Sequence, residues 1–166
     1  MKAHGRCWKF GDNVPTDQIV RSDRALGSME EMRAHVLENL NPAFPLGVQP
    51  GDILVAGRHF GQSSGRAIAP KALQATGLGA VVVESAARLF YRNCFEIGLP
   101  LVVCPGITAE VEEGDVLAVD VESGAVSVER SGARLTGEQT DPFLLDMLRA
   151  GGIIPLAGKL AGEGTA

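Results

Sequence analysis

Short apolar runs set off by turn residues divide this chain into elements. Gly51-Asp52 introduces Ile53-Leu54-Val55-Ala56, and Gly77-Leu78-Gly79 introduces Ala80-Val81-Val82-Val83. Four consecutive apolar residues between turn signals predict strands buried on both faces. Leu99-Pro100-Leu101-Val102-Val103 predicts a third. The alanine-rich stretch Ala67–Ala75 reads as a helix between the first two. A second helix, capped by Ser85 and carrying Ala86, Ala87, Leu89, Phe90 and Cys94, lies between the next two. Strand, helix, strand, helix, strand is the signature of a parallel layer with helices packed on it.

The flanking pattern is different. Arg6–Phe10 alternates and reads as a first strand, Gly11–Asp17 is a dense turn cluster, and Gln18-Ile19-Val20 reads as a brief strand. Ser28 and Glu31 form a capping box ahead of Met29, Met32, Val36 and Leu40, predicting a helix over 29–40 that Asn41-Pro42 stops, with Pro45–Pro50 as connector. From Gly114 onward, Val116–Val121 and Val126–Glu129 alternate between Ser123-Gly124 and Ser131-Gly132, which predicts antiparallel hairpins. Asp141 caps a final helix with Pro142 in its first turn, Gly151-Gly152 ends it, and Ile153–Leu156 closes the fold. No repeat and no long linker appears, so residues 1–157 are expected to form one domain and residues 158–166 a flexible tail.

Composition narrows the function classes. At 166 residues with 45% hydrophobic and 21% charged residues, the chain is an ordinary globular sequence, long enough for a real core. A net charge of −5 without a basic block argues against nucleic acid, and no run approaches the ~18 apolar residues of a membrane span. The opening Met1–Arg6 is not followed by an apolar region, so no secretory leader is expected and the cytoplasm is the expected compartment. Cys7, Cys94 and Cys104 are odd in number and lack C-x-x-C spacing, which argues against a disulfide framework or a metal site within the chain.

The candidate chemistry sits between the first buried strand and its helix. Gly57, Gly61 and Gly65 fall within nine positions, with Ser63, Ser64 and Arg66 beside them. A glycine loop running from a strand into a helix points backbone N–H groups and a helix dipole at one spot, which suits an anion. The competing reading is a tight turn whose serines cap the helix. Arg66 favours the anion, because a guanidinium in a first helical turn opposes the dipole unless it pairs with a carboxylate. Asp17 is a candidate partner for Arg66 from elsewhere in the fold, or a turn aspartate bonded to nearby backbone. Arg88 and Arg92, four apart, read as a solvated basic face. Gly61-Gln62-Ser63-Ser64-Gly65 matches G-x-S-x-G, yet His4, His35 and His59 all precede it, whereas a hydrolase triad needs a later histidine. A Walker A ending and a G-x-G-x-x-G fingerprint are both absent.

At these residues the sequence resembles the small subunits of 3-isopropylmalate dehydratases, the swivelling-domain component of the aconitase superfamily. The resemblance spans residues 7–157 and rests on ordered anchors. They are Trp8–Asn13, Thr16-Asp17, Gly51–Gly57, Phe60-Gly61, Arg88–Asn93 and Ile97–Pro100. It implies a three-layer β/β/α swivelling domain, with a parallel βαβ core and antiparallel hairpins, that docks on a separate large subunit. It also implies that the large subunit carries a [4Fe–4S] cluster, with no cofactor or metal on this chain, in a cytoplasmic heteromer of leucine biosynthesis. The substrate would be a small 2-hydroxy di- or tricarboxylic acid. The small subunit of such a hydro-lyase supplies a serine that takes a proton from carbon and an arginine that holds a carboxylate.

The family loop reads Gly-Cys-Gly-Ser-Ser-Arg-Glu-His-Ala-Pro, where this chain has Gly61-Gln62-Ser63-Ser64-Gly65-Arg66-Ala67-Ile68-Ala69-Pro70. Aligned without gaps, Ser64 takes the base position and Arg66 the carboxylate-binding one, with Gly65 in place of the second serine. A slip of one residue would make Ser63 the base. The segment that tunes substrate choice in the family, an Arg-Tyr-Leu pattern, is Arg24-Ala25-Leu26 here, and loss of the ring implies a reshaped side-chain pocket. These departures leave two alternatives to isopropylmalate. One is a relative acting on dimethylmalate, homoaconitate or a methylcitrate-like acid; the other is a non-catalytic anion-binding or regulatory subunit.

Overall fold

Strand β1 (Lys2–Lys9) has two kinds of partner along its length. Lys2–Arg6 pairs antiparallel with β5 (Val116–Asp120), while Cys7–Lys9 pairs in parallel with β2 (Ile53–Ala56). On one side the sheet continues in parallel through β3 (Ala80–Val83) and β4 (Leu101–Val103). On the other it continues antiparallel through β6 (Ala125–Val128) and β7 (Arg134–Thr136), giving the order β4-β3-β2-β1-β5-β6-β7. The computed structural model describes residues 1–21, 23–24 and 27–163. Its two β portions share β1, and helices cover the parallel one, the mixed α/β arrangement that the element pattern predicts.

Burial follows the sequence pattern. All four residues of β2 and of β3 are buried, as apolar runs in a parallel layer covered on both faces must be. In β5 only Leu117 and Val119 are buried, the alternation of a one-sided antiparallel strand. At the join, β1 passes so close to the Gly51 carbonyl that a Cβ at Gly5 would overlap its oxygen and stand 2.9 Å from its carbon. Trp8 is fixed where β1 meets β2: its ring lies edge-on to Phe44 at 5.3 Å and its Nε1–H donates to Asp52 Oδ2 at 2.8 Å. That bond satisfies the only polar atom of a buried indole.

The helices are α1 (Thr16–Ile19), α2 (Met29–Arg33), α3 (Phe44–Gly47), α4 (Ile68–Ala75), α5 (Arg88–Glu96), α6 (Ile107–Glu110), α7 (Pro142–Ala150) and α8 (Ile153–Glu163). The predicted caps of α2 and α7 both form. Ser28 and Glu31 exchange side-chain and backbone hydrogen bonds, and Asp141 Oδ1 accepts the Phe143 N–H at 2.8 Å.

Five expectations need correction. The first strand begins at Lys2 rather than Arg6, because its added residues pair with β5, far off in sequence. Gln18–Val20 is not a strand; Ile19 ends α1, whose last turn closes with the Val20 N–H donating to the Thr16 carbonyl at 3.0 Å. The helix expected over 29–40 stops at Arg33, since Leu37 adopts φ 55° and donates its N–H to the Ile19 carbonyl instead. Pro45–Pro50 is not only connector, because Pro45 sits in the first turn of α3, where a missing N–H costs nothing. Residues 158–163, read from the sequence as tail, continue α8, which packs on α7 and α5.

Candidate functional site

The segment between β2 and α4 begins as a rung of extended backbone held on both sides. On one flank the Gly61 N–H donates to the Val14 carbonyl at 2.8 Å, and the Thr16 N–H donates to the Gln62 carbonyl at 2.9 Å. On the other, the Phe60 N–H donates to the Ser85 carbonyl at 3.0 Å and the Ala87 N–H to the Phe60 carbonyl at 2.9 Å. The turn cluster Gly11–Asp17 therefore backs the loop rather than forming a site of its own. Two further bonds tie it down: the Arg58 N–H donates to Asp12 Oδ1 at 2.7 Å, and His59 Nδ1 meets Asn13 Oδ1 at 2.9 Å.

Gly61 is the pivot. It is buried with φ 76°, and a Cβ there would stand 2.7 Å from Phe90 Cβ and closer still to two ring carbons. Phe90 itself is fully buried and edge-on to Phe60 at 5.3 Å. Past the pivot, Ser63 takes φ 86°, a left-handed conformation that a side chain tolerates at a cost of roughly 1–2 kcal/mol. Ser64 Oγ then accepts the Arg66 N–H at 3.2 Å, and the buried Asn93 donates its Nδ2 hydrogen to the Gly65 carbonyl at 2.9 Å. α4 starts from Ala67 with no side chain capping it.

The resulting cleft, of about 320 Å³, lies outside the carboxyl ends of the adjacent parallel strands β2 and β3. Gly61, Ser63, Ser64 and Gly65 form one wall, and Ala87, Arg88 and Leu89 form the other. That second wall is the N-terminus of α5, which has neither a side-chain cap nor an acidic residue in its first turn. Among the described residues no carboxylate lines the cleft, and neither Arg66 nor Arg88 makes an ion pair. Two serines, the uncapped N-terminus of α5 and Arg88 give the cleft a lining whose chemistry suits an anion.

The sequence candidates therefore divide. Ser63, Ser64, Gly65 and Gly61 come together in the cleft, whereas Arg66, next in the chain and exposed, is not among the residues that line it. Asp17 lies elsewhere, lining an open hollow of about 520 Å³ with Gln18, Arg21, Asp23 and Asn39. Among the described residues no hydrogen bond or ion pair joins Asp17 to Arg66. Arg24 is exposed in the turn that follows, and Leu26 lies outside the described residues. The α5 wall is the part that sequence reasoning missed. Ser85 does not cap α5; its Oγ accepts the His59 N–H at 2.9 Å, and the helix starts three residues later. The missing signal is the bridge between Phe60 and Ala86, a pairing across the fold.

Residues 10–105 match the Aconitase C-terminal domain family. The chain belongs to this family. It is 42% identical over 160 residues to the isopropylmalate/citramalate isomerase small subunit of Methanocaldococcus jannaschii, covering 96% of this chain and 95% of that one. It is likewise 42% identical over 167 residues to the 3-isopropylmalate dehydratase small subunit of Aquifex aeolicus, covering 98% and 99%. The crystal structure of 3-isopropylmalate dehydratase from Methanocaldococcus jannaschii superposes with a TM-score of 0.92 at 30% identity over 100% of both chains.

An iron–sulfur cluster, which the aconitase superfamily implies, does not fit the residues of this aconitase C-terminal domain. Cys7 in β1, Cys94 in α5 and Cys104 after β4 are buried on separate elements. Among the described residues no three His, Cys, Asp or Glu side chains converge as metal ligands. Burial raises the Cys7 thiol to about 12, with Glu113 and Asp115 adding to it, and the Cys104 thiol to about 11, with Glu84 adding to it. Burial raises Cys94 as well. Thiols so placed resist the deprotonation that metal binding needs. No helix in the described residues is long and apolar enough to cross a membrane.

Proposed function

We propose that this chain is the small subunit of a 3-isopropylmalate dehydratase. It works with a cluster-bearing large subunit in the cytoplasm, on a pathway to leucine. The observation that carries the reading is Ser64, presented in an anion-suited cleft with its Oγ already accepting the Arg66 amide. Relatives named as such small subunits, matched over nearly the whole chain, support it.

In this reading Ser64 Oγ takes the proton from the substrate carbon next to the one bearing the hydroxyl. The C–H electron pair becomes the new double bond, and departure of the hydroxyl falls to the large subunit. Rehydration runs the same events backwards with the hydroxyl on the other carbon. A serine is a weak base unless its alkoxide is favoured. Here the Arg66 N–H bonds directly to the oxygen, and the uncapped dipole of α5 and Arg88, which lines the same cleft, favour the same charge. Arg66 holds a substrate carboxylate. Ser63 lacks an equivalent amide bond among the described residues and sits in a strained turn, so Ser64 is the better base.

The test is formation of the enoate by ultraviolet absorbance, under anaerobic conditions, with the large subunit from the same genome. Turnover of isopropylmalate should require both chains. Ser64→Ala should lower kcat by about 10²–10⁴-fold, the usual worth of a positioned general base, while gel filtration shows the two chains still associated. Ser63→Ala should stay within about tenfold of the natural protein. Undiminished turnover in Ser64→Ala would refute the role given to Ser64.

A further inference from the structure

Leu89 is out of place for its type. It sits in the first turn of α5 with 57% of its surface exposed, among residues that otherwise offer the cleft hydroxyls, backbone amides and a guanidinium. A large exposed apolar side chain is unremarkable alone on a surface. This one stands over the cleft: its Cδ1 would lie 2.8 Å from a Cβ built on Gly65. Of the side chains lining that volume, only the Ala87 methyl is also apolar. The lining is thus mixed in chemistry: Ser63, Ser64 and Arg88 are polar, and Leu89 is its one large apolar side chain.

We propose that Leu89 determines specificity by forming the wall against which the substrate's alkyl substituent packs. The inference rests on the proposed hydro-lyase reading and deepens it: the ligand class is a malate whose hydroxy-acid head lies at Ser64 and whose branch faces Leu89. A substrate with no more than a methyl branch leaves Leu89 in contact with water, and one with an isopropyl branch covers it. Each methylene buried in such a wall is worth about 10–200-fold in selectivity. The missing Cβ at Gly65 leaves room for the Leu89 side chain to reach over the loop.

The experiment measures kcat/KM for isopropylmalate and for citramalate with the assembled enzyme carrying Leu89→Ala or Leu89→Val. The expected result is a fall of about tenfold in the isopropylmalate-to-citramalate ratio for Leu89→Ala, and a smaller fall in the same direction for Leu89→Val. An unchanged ratio, or equal loss on both acids, overturns the assignment, because it would mean that Leu89 only braces the loop. If Leu89→Ala is inactive, the ratio in Leu89→Val decides. Should the natural pair of chains turn over neither acid, the hydro-lyase reading itself falls and takes this inference with it. A normal natural enzyme with an unmoved ratio removes the inference alone.

Discussion

Gly61 and Ser63 are two residues apart, both in left-handed backbone, and should respond to substitution with opposite signs. Gly61→Ala puts a side chain at φ 76°, which costs roughly 1–2 kcal/mol. It also drives a Cβ to 2.7 Å from Phe90 Cβ and closer to the ring. Phe90 is 1% exposed and stacked edge-on against Phe60, so it has nowhere to retreat. Overpacking of that kind adds roughly 1–3 kcal/mol. Alanine's smaller loss of chain entropy on folding returns about 0.4–1 kcal/mol. The sum is a loss of about 1–5 kcal/mol, which for a domain of this size lowers Tm by about 2–20 °C. Ser63→Gly instead removes the strain at φ 86° and costs only the entropy, a net gain of up to about 1.5 kcal/mol, or up to about 6 °C. Thermal unfolding followed by circular dichroism, with urea midpoints as a second measure, reads both. A Gly61→Ala protein within about 0.5 kcal/mol of the natural one would refute the argument, because no loop arrangement with this glycine against Phe90 could absorb the extra carbon so cheaply.

Two predictions concern titration. The Arg130 guanidinium, through a 2.7 Å bond from Nε, together with the Glu112 amide, holds the Asp115 carboxyl below the usual carboxylate range. A carboxyl lowered on folding contributes stability above its unfolded pKa of about 3.9 and loses it as pH falls through the folded value. The urea midpoint should therefore drop on acidification below about pH 4, and Asp115→Asn should show a smaller drop; equal acid slopes would contradict the pairing. The thiols work in the other direction. With Cys7 raised to about 12 and Cys104 to about 11, their contribution is complete below the ordinary thiol pKa and is lost as pH rises from there toward those values. At pH 8 a thiol reagent should label none of the three cysteines in the folded protein and all three in denaturant; rapid labelling of the native protein would contradict their burial.

What could be read in the sequence was whatever is decided locally. β2 and β3 each announce themselves as four apolar residues after a turn, and the caps at Ser28 and Asp141 need only residues within three positions. Misreadings occur where a distant segment takes over a backbone group. Leu37 donates to Ile19 and ends a helix whose apolar spacing continues to Leu40. Ser85, a good cap by type, is drawn to the His59 amide, so α5 begins at Arg88. The site follows the same rule. Its glycine and serine wall was legible as a strand-to-helix loop, whereas its Arg88 and Leu89 wall depends on where α5 is delivered. Arg88 is exposed, as its reading as a solvated residue expects, and its place beside the serine loop is what the sequence does not show. Asp17 had the chemistry to pair with Arg66, and topology set it in a different hollow.

The divided pairing of β1 also sets the order in which the chain can be completed. Cys7–Lys9 finds its partner once β2 has been made, but Lys2–Arg6 must wait for Val116–Asp120. At about 5–20 residues per second, a ribosome leaves that half of the strand without its neighbour for roughly 5–25 s. During that interval Lys2–Arg6 is an open strand edge, the kind of surface through which nascent chains pair with one another. A lysine and an arginine at positions 2 and 6 place positive charge along that edge. Like charges facing across two such edges repel, so the same residues that later border β5 also keep unfinished copies apart.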